Sequence, residues 1–282
     1  MEARTTWRRS LAALTLGTLL VWTAACGGGG EESPEPAGDG AAAPAADAGG
    51  NAAENIEPGN PHVADLGTGN ATVRGTVTFA GSPPPPRPVQ MDPECTAKND
   101  EQVMQPLLVL GEGQTVGNIF VKVSSGLPDQ QYTAPSQPAV MDQEGCMYHP
   151  HVMGVMQGQT LRFLNSDELM HNVHGQPRQN REFNQGMPAS VEVSDVTHLN
   201  TPEPLFPVKC DAHPWMQSYV AVMEHPYFDV TEEDGQFTLA NLPAGTYEIE
   251  AWHERLGTQT QTVTVEDGGS ATVDFTFSVP QA

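Results

Sequence analysis

Lys209-Cys210-Asp211-Ala212-His213-Pro214-Trp215-Met216 stands in the last third of the chain, and His171-Asn172-Val173-His174 stands well upstream of it. One thiol, one thioether and two well-placed imidazoles make the donor set of a type 1 (blue) copper site, with His₂Cys in a trigonal plane and a weak axial Met. The spacing Cys-x2-His-x2-Met suits one short loop, so Cys210, His213 and Met216 can converge from a single turn. His171 then arrives from a distant strand. A β-sandwich builds that geometry readily, and the expected fold class is all-β.

The surrounding text supports that expectation. Val73, Gly75, Val77 and Phe79 alternate with Arg74, Thr76 and Thr78, the period-two pattern of a half-buried strand. Gly81-Ser82 and the prolines 83–86 end that strand. Ile119, Val121 and Val123 alternate again, as do Phe237 and Leu239, then Tyr247, Ile249 and Ala251, then Val263 and Val265, then Val273, Phe275 and Phe277. The breaks at Asp234-Gly235, Pro243-Ala244-Gly245 and Asp267-Gly268-Gly269 have turn composition. No amphipathic helix of three turns is legible after the first quarter of the chain.

That first quarter reads as an export and anchoring segment. Arg4, Arg8 and Arg9 precede an apolar run from Leu11 to Ala25, and Thr23-Ala24-Ala25-Cys26 has the small residues of a cleavage site. The run is short for a permanent membrane span. The placement of Cys26 resembles the lipobox of bacterial lipoproteins, which implies that residues 1–25 are a lipoprotein signal peptide and Cys26 the lipidated N-terminus; an ordinary signal peptide would leave Cys26 a free thiol. Arg8-Arg9 also hints at twin-arginine export. Residues 26–70, rich in Gly, Ala, Pro, Glu and Asp, are expected to be the anchor and a disordered tether, because such a composition buries too little apolar surface to offset its ordering entropy. The protein would then sit on a cell membrane, periplasmic or at the cell surface. Gly27 carries no Asp retention signal, which in a Gram-negative cell favours the outer membrane.

The formal charge is −23, and loss of Glu2, Arg4, Arg8 and Arg9 with the leader makes it −25. A surface this acidic argues against nucleic acid as a partner. It equally serves solubility alone. Of the four cysteines, Cys26 is assigned to the anchor and Cys210 to the metal, so Cys95 and Cys146 are expected to pair as a disulfide in an oxidising compartment. The alternative places Cys146 with Tyr148, His149 and His151 in a second metal site. With only two imidazoles there, a plain strand end before Val152 is the simpler reading.

Two family resemblances extend these readings. Val230 to Tyr247, with its Leu242-Pro243-Ala244-Gly245-Thr246-Tyr247 turn, resembles the carboxypeptidase regulatory-like domain, a small prealbumin-type sandwich, and Val73-Arg74-Gly75-Thr76-Val77 resembles its opening strand. Residues 71–135 and 226–282 are assigned to that sandwich. Residues 136–225 resemble cupredoxins, with amicyanin-like spacing: Cys210, His213, Pro214 and Met216 match the Cys-x2-His-Pro-x-Met loop, His171 to His174 match the upstream His-Asn-Val-His, and Gly158 to Asn165 match the strand before it. The copper domain is read as inserted after the strand around Ile119–Val123; two sandwiches in tandem is the other arrangement. Asp167-Glu168-Leu169-Met170 before His171, and the proline-rich stretch Asn200 to Pro207, depart from the family pattern.

The resemblance implies one type 1 copper held by His171, Cys210, His213 and Met216. It further implies that the Asn172 backbone N–H points at the Cys210 sulfur, that Pro214 stiffens the loop, and that Trp215 forms an apolar rim beside an electron-exchanging His213. The implied role is that of a non-enzymatic carrier of single electrons, meeting a redox protein such as a c-type cytochrome or a copper oxidoreductase. Zinc fits the donors less well, since Met is a poor zinc ligand. His174 reads as a surface or hydrogen-bonding residue, His225-Pro226 as a domain junction, and His253-Glu254 as packing between the sandwiches. The alternative function is an envelope binding or structural module, or a copper buffer with a non-redox cupredoxin domain. A nitrite reductase or oxidase type of enzyme ranks third, because His149-Pro150-His151 is the one His-x-His in the chain.

Overall fold

A computed structural model describes residues 57–280. The expected signal peptide, Cys26 and most of the expected tether lie outside the described residues. Among those described, the regular structure is almost all strand, with one helical turn at Pro93–Thr96 and 3-10 turns at Pro61–Leu66 and Glu112–Gln114. No helix among them is long and apolar enough to cross a membrane.

The strands form two pairs of sheets. In the first pair, Ala71–Phe79 lies between Gln236–Leu242 and the two short strands Ser270–Thr272 and Phe275–Phe277, while Phe120–Ser125 lies between Phe228–Val230 and the hairpin Gly245–His253/Gly257–Val265. The alternation seen in the sequence is the cause. Val73, Val77 and Phe79 from one sheet meet Val121, Val123, Tyr247, Ile249 and Ala251 from the other in one buried cluster. Tyr247 closes its turn by donating from its hydroxyl to the Pro243 carbonyl, 2.6 Å away.

In the second pair, a five-stranded sheet runs Val152–Met156, Gln217–Met223, Glu203–Lys209, His171–Gly175, Phe183–Met187. It faces a four-stranded sheet of Met147–His149, Ala139–Glu144, Leu161–Asn165 and Val193–Val196. Met141, Met153, Phe163, Val173, Val208 and Val220 fill the space between. The chain leaves the first pair of sheets after Ser125 and rejoins it at Phe228, with every strand of the second pair falling between those points.

Several strands are apolar on both faces, and a third cluster explains why. Val220 and Val222 point into the second core, whereas Ala221 and Met223 on the opposite face join Phe120, Val152, Phe228 and Trp252. Phe120 belongs to a strand whose Val121 and Val123 point the other way into the first core, so the two sandwiches share a seam built from outward faces. Gly154 sits at that seam with the Phe228 ring against it; a Cβ there would lie 2.4 Å from a ring carbon. A largely buried hydrogen bond crosses the same region, with His151 Nε2 2.8 Å from Glu254 Oε1. Tyr219, whose ring also meets Trp252 edge-on at 5.3 Å, packs against His151. His253-Glu254 thus works between the sandwiches, through Glu254.

Residues 57–70 differ from the expected tether. Gly59 pairs with Val140, Asn60 Nδ2 donates to the Gly154 carbonyl at 3.0 Å and to Gln159 Oε1 at 2.9 Å, and Val63 is buried. Composition misplaced this segment because one amide and one valine, set in a polar run, suffice to seat it.

His225 and His253 are both buried near the junction, and each accepts a backbone N–H at Nδ1, from Tyr227 and Arg255 respectively. Burial pushes both down to about 4. The unfolded chain takes up these protons near the ordinary histidine value of about 6.5. Their contribution to stability is therefore whole above about 6.5 and is lost as pH falls towards 4, by at most about 3 kcal/mol for each. Urea unfolding at pH 7 and pH 5 checks this: the wild type should lose stability over that interval, and H225Q and H253Q should each flatten the slope. Equal slopes in all three would show that other groups govern it.

Candidate metal centre

Strand register assembles the centre. Glu203–Lys209 pairs antiparallel with Gln217–Met223 so that Lys209 faces Gln217, and residues 210–216 become the loop joining them. The loop is closed by Cys210 N donating to the Met216 carbonyl at 3.2 Å and Met216 N donating to the His213 carbonyl at 2.9 Å. On its other side, Glu203–Lys209 pairs antiparallel with His171–Gly175, with Val208 opposite Gly175 and Lys209 opposite His174. The same register carried two steps further lays Asn172 beside Asp211. Asp211 N donates to Asn172 Oδ1 at 2.6 Å and Asn172 Nδ2 donates to Asp211 Oδ2 at 3.1 Å.

The result is a buried convergence of donors. His171 Nδ1 lies 3.0 Å from His213 Nδ1, and Cys210 Sγ lies 3.6 Å from that same nitrogen. His171 is fully buried, Cys210 nearly so, and Met216 is buried in the same core. His213 keeps a slight exposure, and its ring stands 5.2 Å from that of Trp215. Trp215 in turn donates from Nε1 to the Cys146 carbonyl at 3.1 Å, tying the loop to the facing sheet.

Electrostatics favour a thiolate among these groups. Burial raises the Cys210 thiol, but the His171 side chain and the backbone N–H groups of Asn172, His213 and Ala212 outweigh it and bring the thiol below its ordinary value. The Asn172 N–H contact is the one the cupredoxin resemblance implied. Burial likewise works against charge on His171, yet the hydrogen bond to Asp167 and the neighbouring Cys210 raise it to about 9. Two imidazoles and a thiol packed this closely are chemically suited to one soft or borderline metal ion.

Asp167 is the residue that sequence reasoning passed over. It appears in the sequence only as a departure before His171, but it is buried, with Oδ2 3.0 Å from His171 Nε2. It also accepts from Gly145 N at 2.7 Å and Cys146 N at 2.8 Å. These hydrogen bonds and His171 overcome burial and hold the carboxyl below its usual range. A carboxylate on the outer nitrogen fixes the ring and turns Nδ1 inward. The signal available was an Asp four residues ahead of a candidate ligand, which is legible only once the turn between them is known.

Cys95 and Cys146 form a disulfide. The competing cluster at Cys146 does not assemble. Tyr148 donates its hydroxyl to the Asn172 carbonyl at 2.6 Å, His149 is exposed, and His151 is taken up by Glu254. His174 sits between two carboxylates, Asp211 at 3.1 Å and Glu182 at 2.8 Å. It hydrogen-bonds at the surface, beside the centre.

A family model for the carboxypeptidase regulatory-like domain matches residues 220–278. The strands Ala71–Phe79 and Phe120–Ser125, which share its sheets, lie on the far side of the interruption and outside the match. No curated protein matches the chain. Among solved structures it is similar to the Cu-containing nitrite reductase (NirK) from Thermus scotoductus SA-01, at 19% identity and TM-score 0.29, over 36% of this chain and 26% of that one. It is also similar to a mutant of amicyanin in the Cu(I) form, at 19% identity and TM-score 0.28, over 36% of this chain and 98% of that one. A novel purple cupredoxin from Nitrosopumilus maritimus is 20% identical, with TM-score 0.23, over 27% of this chain and 82% of that one. The chain spans about a quarter of the nitrite reductase.

Asp167→Asn should destabilise the metal-free protein. It leaves His171 without its buried counter-charge and removes one acceptor from the Gly145 and Cys146 amides, a loss of about 3 kcal/mol. Chemical denaturation at pH 7 measures it, and a loss within experimental scatter would show that the pair holds nothing in place.

Proposed function

We propose that the chain holds one copper ion at His171, Cys210, His213 and Met216 and carries single electrons in the cell envelope. The observation that supports this best is the convergence of two imidazole Nδ1 atoms on one lowered-pKa cysteine sulfur in a buried pocket. Bound copper would supply a one-electron couple between Cu(II) and Cu(I). The protein supplies the rest. Cys210 offers a thiolate, whose charge the Asn172 N–H helps hold. His171 is braced by Asp167, and Met216 is the fourth donor, weak enough to leave both oxidation states accessible. Pro214 lacks an N–H and restricts the loop, while the Asn172–Asp211 pair clamps the strand leading into it. A frame so constrained moves little between oxidation states, as rapid electron exchange requires. His213, the ligand with residual exposure, is the exit for electrons, and Trp215 beside it is part of the docking rim.

The proposal extends to place and partner. Lipidation at Cys26 would tether the protein to a membrane, periplasmic or at the cell surface, and a c-type cytochrome or a copper oxidoreductase would exchange electrons with it. No catalytic role is proposed.

Cu(II) added to the folded protein should give an intense blue thiolate-to-copper absorption with one metal per chain, and Cys210→Ser should abolish the band. A band that survives in C210S would overturn the assignment. A blue protein that exchanges no electrons with a reduced c-type cytochrome or a copper oxidoreductase would instead favour copper storage.

A further inference from the structure

The disulfide stands against the outer edges of the two imidazoles. A ring nitrogen of His213, a carboxylate oxygen of Asp92 and Cys95 Sγ lie within 4.8 Å of one another, and so do a ring nitrogen of His171, a carboxylate oxygen of Asp167 and Cys146 Sγ. Nε2 of His213 is 3.5 Å from Asp92, and Nε2 of His171 is 3.0 Å from Asp167. Each imidazole thus separates two sets of donors, with Cys210 on one side and a bridge sulfur with a carboxylate on the other.

The two cysteines are held by more than their mutual bond. Cys95 sits on the Pro93–Thr96 turn, with its N–H capped by Asp92 at 2.9 Å, and Met91 packs against the second core. Asn99 Nδ2 donates to the Gly145 carbonyl at 2.9 Å, fastening this strap to the turn that carries Cys146. Cys146 is pinned by its N–H on Asp167 and by Trp215 on its carbonyl. With these contacts in place, opening the bridge leaves two thiols facing each other from anchored backbones whose Cα atoms are 5.6 Å apart.

We propose that the reduced Cys95–Cys146 pair is a second, Cu(I)-specific site beside the first, in which the disulfide acts as its redox-controlled cover. Two thiolates form a soft donor pair for Cu(I), and the imidazole edges and Asp92 and Asp167 surround them. In the opening step a dithiol reductant attacks one bridge sulfur, the S–S bond breaks, and two electrons pass from the dithiol, which becomes a disulfide, to Cys95 and Cys146. Metal entry then releases the thiol protons to solvent, and copper enters and stays as Cu(I). The site uses two thiols that the proposed electron-transfer centre, with Cys210 alone, does not, so each can fail without the other.

The test is Cu(I) binding to the folded protein under anaerobic conditions, counted by native mass spectrometry after a dithiol has been applied and removed. The oxidised wild type should bind one Cu(I) and the reduced wild type two. In C210S the oxidised protein should bind none and the reduced protein one, which separates the two sites. Cu(I) should also protect Cys95 and Cys146 of the reduced wild type from alkylation, a readout that needs no variant. One Cu(I) in both redox states, unprotected thiols in the presence of Cu(I), or a bridge that the dithiol does not open in the folded protein would each overturn the proposal.

Discussion

The centre depends on the pairing of Glu203–Lys209 with His171–Gly175. His171 and Cys210 are far apart in sequence, and only this antiparallel register brings them together. A slip of His171–Gly175 by one residue would turn His171 away from the pocket and move Val173 out of the core with it. Asn172 and Asp211 lock the register at the end where it matters, through reciprocal side-chain and backbone hydrogen bonds. The same contact positions the Asn172 N–H at the Cys210 sulfur. Strand pairing and thiol electrostatics are therefore consequences of one constraint.

Around that register the facing sheet contributes rigidity. Tyr148 reaches the Asn172 carbonyl, Asp167 braces His171, and the Cys146 carbonyl receives Trp215. Each of these contacts runs from the four-stranded side, or from the turn beside it, to a different part of the pocket. The Pro93–Thr96 strap adds a cover from the other sandwich's long connection, joined through the disulfide. A pocket braced from several directions can hold imidazoles at 3.0 Å that would otherwise drift apart.

The seam between the sandwiches couples the centre's scaffold to the rest of the chain. Gln217–Met223 carries Val220 and Val222 into one core and Ala221 and Met223 into the seam, so the strand that follows the ligand loop is buried on both sides. Burying side chains such as Phe120 and Val152 there contributes on the order of 1.5–3 kcal/mol each. The His151–Glu254 pair adds direction to a contact that apolar packing alone would leave free to rotate.

Much of this was legible in the residues. Alternation at Val73 to Phe79 and at Tyr247 to Ala251 declared strands, because a period of two puts one face of each in a core. The loop Cys210 to Met216 declared its donors, since their types and spacing are local properties, and elimination among four cysteines left Cys95 with Cys146. Tertiary structure alone decided the places of Asp167 and Asp92, the partner of Glu254, and the seating of Asn60 and Val63. A carboxylate or an amide in a polar stretch has no periodicity to betray it. Its partner is set by which strands lie side by side, and that is a property of the assembled sheets.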